Sequence, residues 1–481
     1  MSKALTIVCF RTDLRLDDNP ALHAAAERGP ILPVFIHAPE EEGDWTPGAA
    51  SRWWLHHSLN ALDRQLQAMG SRLIIRRGPT EATLQALVQE TGARAVFWNR
   101  RYEPAPRKLE EQVKSRLKAD GCEVRTFNSA LLFEPWEVAT QNGNPYKVFT
   151  PFWKRCMAME EPPEPLPCPT HLAPPATWPA TEPLAALQLE PAIDWAAGLR
   201  GTWTPGAEGA YAELARFADA ALHNYAGGRD RPDVNGTSRL SPHLHFGEIS
   251  PRAIWHTVRS CSDSEQRPGL IKGAEAYLRE LGWREFACHL LYAFPHTTDH
   301  PLRPEFADFP WQRDADARRR WQQGQTGFPI VDAGMRQLWQ TGWMHNRVRM
   351  IVASFLVKDL LLPWQEGTRW FWDTLVDADL ASNTLGWQWT AGCGADAAPF
   401  FRVFNPVTQG TKFDPQGDYV RRFVPELASL PSSWIHRPWE APATIMEEAG
   451  IRLGSTYPKP MVDHGEARQA ALAAYDEVKG R

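Results

Sequence analysis

The sequence predicts a doubly wound α/β domain followed by an all-helical one, and three observations carry that reading. Strand and helix signals alternate one for one over the first 130 residues. Eleven of the 41 prolines fall between Pro162 and Pro205. From about residue 208 onward only helical patterns appear. At 481 residues the chain is also long for one core, since a single hydrophobic core stops growing near ~250–300 residues. The expected organisation is an α/β domain over 1–130, a connector over 131–207 and a helical domain over 208–481.

The elements follow in order. ALTIVCF (4–10) is a short buried-strand run. Asn19 supplies an N-cap and Pro20 an N1 proline for the helix ALHAAAER, which Gly29 stops. ILPVFIH (31–37) is the second strand. Apolar spacing at Trp54, Leu55, Leu59, Leu62 and Leu66 gives a helix up to Gly70, and RLIIR (72–76) the third strand. Pro79 and Thr80 open a helix that Gly92 closes. ARAVFW (93–98), a helix over 106–120 and CEVRTF (122–127) complete the series. Strands separated by single helices favour a parallel five-stranded sheet with right-handed crossovers. The proline-dense stretch interrupts every candidate element and reads as an extended surface connector. Beyond it, helices are expected over 210–225, 251–260, 273–294, 329–342, 346–361 and 368–383, with an amphipathic helix at the tail.

Composition narrows the function classes. Hydrophobic residues make up 43% and charged residues 23%, and no apolar run approaches the ~18 residues of a membrane span. The start of the chain has none of the sections of a signal peptide, so a cytoplasmic protein is expected. Seven cysteines form no CxxC pair and no metal spacing, which suggests neither a disulfide framework nor a metal site. A net charge of −5 gives no global attraction to DNA, so nucleic-acid binding would need a local basic surface. Tryptophan is the outlier, with 22 Trp against 9 Tyr.

Three motifs bear on chemistry. GCGADA (392–397) fits a GxGxxA dinucleotide pattern but follows a helical segment rather than a strand, so it reads as a turn. The first strand runs into FRTDLRLDDNP without a glycine, which argues against ordinary dinucleotide binding in the α/β domain. In GTSRLSPHLHFG (236–247), Thr237 and Ser238 either cap a helix or present hydroxyls and N–H groups to an anion, with Arg239 adjacent. Asp377 and Asp379 stand among bulky apolar neighbours and call for a cationic partner or a polar ligand. No His or third carboxylate sits at a spacing that would make them a metal or hydrolase site.

FRTDLRLDDNPAL, GTSRLSPHLHFGEIS, ELGWREF, TGFPIVDAGMRQLWQTGWMHNRVRM and DADLASNTLGWQWTAGCGADAAPFFRVFNPVTQGTKFD together resemble the photolyase and cryptochrome family, in order and over essentially the whole chain. The resemblance implies an N-terminal antenna domain, a connector and a C-terminal helical FAD domain. It further implies a light-dependent DNA repair enzyme, a cyclobutane pyrimidine dimer photolyase acting as a monomer on UV-damaged DNA. Tyr225, Thr237, Ser238, Arg239, Leu240 and Ser241 match phosphate-side FAD contacts. Glu280, Arg284, Asn346, Arg349, Asp377, Asp379 and Asn383 match positions around the ribose, adenine and isoalloxazine, with Arg349 and Asp377 resembling an ion pair. Asn383 stands where the family faces flavin N5, a place where plant-type cryptochromes resemble an Asp.

Substrate contacts implied by the resemblance are Arg229, Glu280, Trp283, Asn346, Arg347, Met350 and Trp389. Trp387, Trp364 and Trp311 match the tryptophans that reduce oxidised FAD, and Trp370 and Trp372 offer a branch. A (6-4) photolyase resembles His where Asn346 and Met350 stand here, so that chemistry is not expected. A signalling cryptochrome is the alternative, against which stand Asn383 and the short tail. An antenna chromophore is also implied. Folate-binding members resemble an Asn-Glu pair where Ala105 and Pro106 stand, but SRWWLHHSLNALD and FWNRRYEP look like a branch close to plant cryptochromes. The expected antenna is 5,10-methenyltetrahydrofolate held differently, with 8-hydroxy-5-deazaflavin second.

Overall fold

The computed structural model describes residues 4–263, 269–397 and 402–479. Residues 398–401, inside the longest of the blocks above, lie outside the described residues. The chain forms two compact units. The first gathers the chain up to His223, Ser238–Pro295 and Val376–Asp379; the second gathers Asn224–Thr237, His296–Leu375 and the chain from Leu380 on.

The first unit holds the sheet. Strands β1 (Thr6–Phe10), β2 (Ile31–His37), β3 (Ile74–Arg77), β4 (Ala95–Asn99) and β5 (Glu123–Phe127) lie in the order β3-β2-β1-β4-β5, and every neighbouring pair is parallel. This bears out the α/β expectation. Strands β1 and β4 are buried along their whole length, as expected of parallel strands covered on both faces. Alternate residues Ile7, Cys9, Leu32, Val34, Val96 and Trp98 pack against Leu84 and Leu87 of helix α3 (Thr80–Thr91) and Val113 and Leu117 of α4 (Pro104–Ala119). Helix α1 (Pro20–Arg28) starts as read: the Asn19 side chain accepts from the Leu22 N–H at 3.1 Å. Helix α2 (Ala49–Ala68) buries Trp54, Leu59, Leu62 and Leu66.

In such a sheet, ligands ordinarily enter the crevice at the carboxyl ends of the strands where the order reverses, here between β1 and β4. The chain fills that place itself. The Arg11 guanidinium binds Glu110 and the Asn99 carbonyl, while the Asn99 amide donates to Asp13 and Asn19. The missing glycine after β1 therefore has a structural counterpart.

The connector is extended and packs along the sheet. Ile31 N–H donates to the Ala173 carbonyl at 2.9 Å, Glu182 N–H donates to the Ile75 carbonyl at 3.0 Å, and Leu172 is fully buried. Two helices within the expected connector were not read from the sequence, α5 (Phe149–Cys156) and a short one at Ala197–Thr202.

Helices dominate the rest, at Ala207–Ala220, Pro251–Asp263, Leu270–Ala293, Pro329–Thr341 and Asn346–Ser354, and the tail helix runs from His464 to Lys479. The single helix expected over 368–383 is instead two, Trp364–Thr374 and Leu380–Ala391. Leu375 turns to an extended conformation, and the Asp379 N–H bonds back to the Asp377 carbonyl at 2.7 Å. That backbone turn replaces the helical hydrogen bonds at Leu375–Asp379, so the apolar periodicity ran through a break. Among the described residues no helix is long and apolar enough to cross a membrane, and all seven cysteines are free thiols.

Candidate cofactor and nucleic-acid site

The residues singled out above divide between the two units. In the first unit, the chain after Ser238 enters a short helix, Ser241–His245, with Leu240 in the N-cap position and no side-chain cap. The helix-cap reading of Thr237 and Ser238 is thereby corrected. Ser238 Oγ accepts from the Leu240 N–H at 3.4 Å and from the Tyr277 hydroxyl at 3.0 Å. Arg239 adopts the left-handed conformation, φ 57°, and lays its guanidinium 4.3 Å from the Trp203 ring. The segment is anchored from behind by a buried pair, His243 and Glu248; the latter also accepts from Trp54 Nε1 and the Gly206 N–H.

Helix Leu270–Ala293 presents Tyr277, Glu280, Arg284 and Cys288 at helical spacing along one side. Arg284 donates to the Ala130 carbonyl at 2.6 Å. Burial works against its charge, and Cys288, Asp379 and Glu285 offset that, with a net upward shift. Asp379 also acts on His245, whose imidazole burial pushes down. The first unit thus gives Asp379 cationic company in Arg284, which the sequence reading did not pair with it.

Trp283 is held as a rigid plate. Its ring stacks on Phe149 at 3.8 Å and 7°, and Phe286 meets it edge-on at 5.8 Å. Phe149 in turn lies parallel to Trp153, whose ring rests on Gly282, where a Cβ would come within 2.4 Å of it. Phe149 and Trp153 escaped the sequence reading, although the aromatic spacing of FTPFWKRC held the signal.

In the second unit, Tyr225 lies on a short helix, Tyr225–Gly228, and Arg229 caps it with its guanidinium 5.7 Å from the Tyr225 ring. Arg347 pairs with Asp230 at 2.8 Å and covers Phe413 at 4.4 Å. Asn346 and Met350, four apart on helix Asn346–Ser354, are exposed and half-buried respectively. Arg349 donates through Nε to the Met344 carbonyl at 2.7 Å. Asn383 Nδ2 donates to the Thr368 carbonyl at 3.1 Å, which fixes the amide and leaves its oxygen as the acceptor. Gln388 clamps the same helix, donating to the carbonyls of Thr297 and His300 and accepting from the Leu302 N–H. GCGADA is the turn that ends this helix, with the Cys393 and Gly394 N–H groups bonded to the Gln388 carbonyl.

Trp387 and Trp364 are buried and Trp311 half-buried. The Trp387 ring meets Phe371 at 5.0 Å and Trp321 at 6.3 Å. It sits on Gly367, where a Cβ would come within 2.0 Å of it, and Trp364 lies on that same buried helix face. Trp311 is joined to the preceding loop, because the Gln312 N–H donates to the Leu361 carbonyl at 2.8 Å. Trp370 stacks on the exposed Trp339 at 6.1 Å and 3°.

His345, not singled out in the sequence, organises the basic group. Its Nδ1 accepts from the Arg347 N–H at 3.2 Å and so caps helix Asn346–Ser354. Burial, opposed by Asp230 and reinforced by Arg347, Arg349 and Arg229, pushes its imidazole down to about 4. A group protonated more readily when unfolded weakens the fold as pH drops from 6.5 toward 4. The melting temperature of His345→Gln is therefore expected to fall less steeply than that of the parent over this range. Parallel profiles from a pH series would show that the ring is not held neutral.

Two family models match the chain, the DNA photolyase model over residues 6–170 and the FAD binding domain of DNA photolyase over residues 277–477. The chain is 50% identical to a deoxyribodipyrimidine photo-lyase of Agrobacterium fabrum, covering 100% of this chain and 99% of that protein. It is 43% identical to cryptochrome-1 of Arabidopsis thaliana, covering 99% of this chain and 71% of that protein. Among solved structures it resembles a bacterial class III photolyase from Agrobacterium tumefaciens, with a TM-score of 0.96 and 50% identity over 100% and 99% of the two chains. A Synechocystis cryptochrome follows with a TM-score of 0.89 and 30% identity over 98% and 99%.

Proposed function

The chain belongs to the DNA photolyase family, and from that premise we propose that it is a deoxyribodipyrimidine photo-lyase that uses blue light to split cyclobutane pyrimidine dimers in UV-damaged DNA. The observation that carries the reading is the full-length match to a photo-lyase. Asn383, Asn346 and Met350 agree with it, because an Asp would suit a cryptochrome and a pair of His a (6-4) enzyme. We take the protein to work as a cytoplasmic monomer, with antenna, connector and FAD domains over 1–130, 131–207 and 208–481.

The donor set fits FAD. Tyr225, Thr237, Ser238, Arg239, Leu240 and Ser241 combine hydroxyl, backbone and guanidinium donors suited to a pyrophosphate. Glu280, Arg284, Asn346, Arg349, Asp377 and Asp379 offer acceptors and cations for the ribose, adenine and flavin edges. Asn383, its NH2 fixed by Thr368, offers a neutral acceptor toward flavin N5. When bound in its reduced form, FAD would supply light-driven one-electron chemistry with no net consumption of reductant, and these residues would hold and orient it.

A dimer inside a duplex is out of reach, so it must be flipped out, as photolyases do generally. Trp283, stiffened by Phe149, and Trp389 wall the flipped dimer. Glu280 bonds a pyrimidine edge, Met350 packs against the lesion, and Arg229 and Arg347 hold phosphates. Trp387, Trp364 and Trp311 reduce the oxidised cofactor. The antenna is methenyltetrahydrofolate, with 8-hydroxy-5-deazaflavin second. Its site lies away from the helix start at Ala105 and Pro106, and the β1/β4 crevice is already filled by side chains.

Purified protein, reduced by light and mixed with UV-irradiated oligothymidine, is expected to restore thymine absorbance under blue light and not in the dark. Binding without light-dependent recovery would favour the cryptochrome alternative. Arg229→Ala and Arg347→Ala are each expected to weaken binding of dimer-containing DNA by ~1–3 kcal/mol, the cost of a charge-assisted hydrogen bond. Titration of a labelled duplex checks this, and unchanged affinity in both would remove the assignment.

A further inference from the structure

Gly367 stands inside helix Trp364–Thr374, where glycine weakens a helix relative to alanine. Its place is explained by what lies on it. An added Cβ would come within 2.5 Å of three atoms of the Trp387 ring, all on the benzo edge, so the indole rests directly on the helix backbone. The other walls of the ring are set. Phe371 meets it at 5.0 Å and 71°, and Trp321 at 6.3 Å and 71°. Trp321 is fully buried and its indole N–H donates to the Val352 carbonyl at 3.0 Å, so that wall is held by more than packing. Trp364, Gly367 and Phe371 follow at i, i+3 and i+7 on one buried face. The seat of Trp387 and the side chain of Trp364 therefore belong to one helix, one turn apart. Asn383, one turn before Trp387, donates to the carbonyl of Thr368, next to Gly367, which ties the two helices together at the same level.

We propose that Gly367 is a positioning residue for reduction of the cofactor: with no side chain of its own, it lets the Trp387 ring lie against the helix that carries Trp364, and so sets the gap an electron crosses between the two indoles. The inference rests on the tryptophan chain of the repair reading and adds to it a residue that carries no electron. In that chain one electron leaves Trp387 for the light-excited oxidised cofactor, Trp364 replaces it, Trp311 replaces the one lost by Trp364, and an external thiol makes good the last. Each transfer slows steeply as ring edges part, because electronic coupling falls off with distance. A methyl group at Gly367 would occupy the place of the ring edge, and in a close-packed interior neither the helix backbone nor the bonded Trp321 can retreat by that much. Repair uses only the reduced cofactor and the dimer, and does not pass through this contact.

The test is photoreduction of the oxidised, FAD-loaded protein under blue light with an external thiol, in Gly367→Ala, Trp387→Phe and the double variant, with a crystal structure of Gly367→Ala beside it. Gly367→Ala is expected to photoreduce about 10–100-fold more slowly than the parent, the loss that a misplacement on the order of 1 Å produces in a positioned reaction. It is expected to repair dimers at the parent rate once reduced chemically, and to show the Trp387 ring displaced from helix Trp364–Thr374. In the Trp387→Phe background the alanine is expected to add no further slowing, because two changes that act through one contact do not add. Gly410→Ala is the packing control. That glycine, inside helix Pro406–Phe413, also rests on a ring, that of His436, and its substitution is expected to lower the melting temperature but keep the parent rate. A parent rate in Gly367→Ala beside a slow Trp387→Phe would overturn the inference and leave the chain standing. Further slowing in the double variant, equal slowing in Gly410→Ala, or an unmoved ring would overturn it as well. A parent rate in Trp387→Phe would remove the chain itself, and this assignment with it. If Gly367→Ala fails to fold with FAD, Gly367→Ala/Phe371→Leu, which gives the ring room, is measured against Phe371→Leu alone, and equal rates in those two would overturn the inference.

Discussion

Trp364→Phe is expected to photoreduce more than an order of magnitude more slowly than the parent, yet to repair dimers once it has been reduced chemically. Trp364 is 2% exposed and lies on the helix face that seats Trp387 against Gly367. Phe keeps most of the apolar bulk, so the substitution costs roughly 1–3 kcal/mol of packing and leaves the fold in place. Electron donation to the dimer needs only the cofactor and the substrate, which is why prereduced protein is spared. Trp389→Ala is expected to behave in the opposite sense, photoreducing normally but binding dimers ~1–3 kcal/mol more weakly through loss of a stacking wall. Flavin absorbance under blue light with an external thiol, followed by repair of prereduced samples, separates the two. A parent-like rate in Trp364→Phe would direct attention to Trp370, which leads to the exposed Trp339, and a double variant would decide. Loss of repair in the prereduced variant, with FAD content intact, would end the division of labour.

Arg15→Leu is expected to be the most damaging single substitution for stability, at about 3–5 kcal/mol. Arg15 is 1% exposed and satisfies the carbonyls of Asp18, Gly247 and Ser129. Leu would fill the volume but leave those carbonyls buried without donors. Gly247 has no room to compensate, since even a Cβ there would come within 2.1 Å of the Thr12 carbonyl oxygen. With total stability of order 5–15 kcal/mol, the variant is expected to lose a large part of its margin. Urea unfolding measures this, and a midpoint close to that of the parent would show that water replaces the guanidinium.

Arg15 also marks where the sequence stops being legible. Its partners at Ser129 and Gly247 are 114 and 232 residues away, and nothing local announces them. The five strands and the Asn19 cap could be read because their signals are local: buried runs, alternating helices, and a cap bonded three residues on. Helix α5 was hidden in a stretch judged by its prolines, although those prolines begin only after it. The break at Leu375–Asp379 was hidden by apolar spacing that continues on both sides. Ser238 was misjudged in its partner, because the hydroxyl of Tyr277 comes from another helix. The candidate site residues were reached through whole blocks of resemblance rather than through any single motif. Their supports, Phe149 behind Trp283 and His345 beneath the arginines, belong to packing that only the folded chain displays.

The four-residue return of Val376–Asp379 to the first unit has a consequence for how the protein is made. Val376 and Ala378 are essentially inaccessible in the finished molecule, so the sheet-bearing unit is not complete when residue 295 leaves the ribosome. It must wait for the chain up to residue 379, a delay of seconds at roughly 5–20 residues per second. During that interval the first unit lacks the segment Val376–Asp379. Truncation at the proline-rich connector would therefore not release two self-sufficient halves, since the first unit also takes in Ser238–Pro295 and Val376–Asp379.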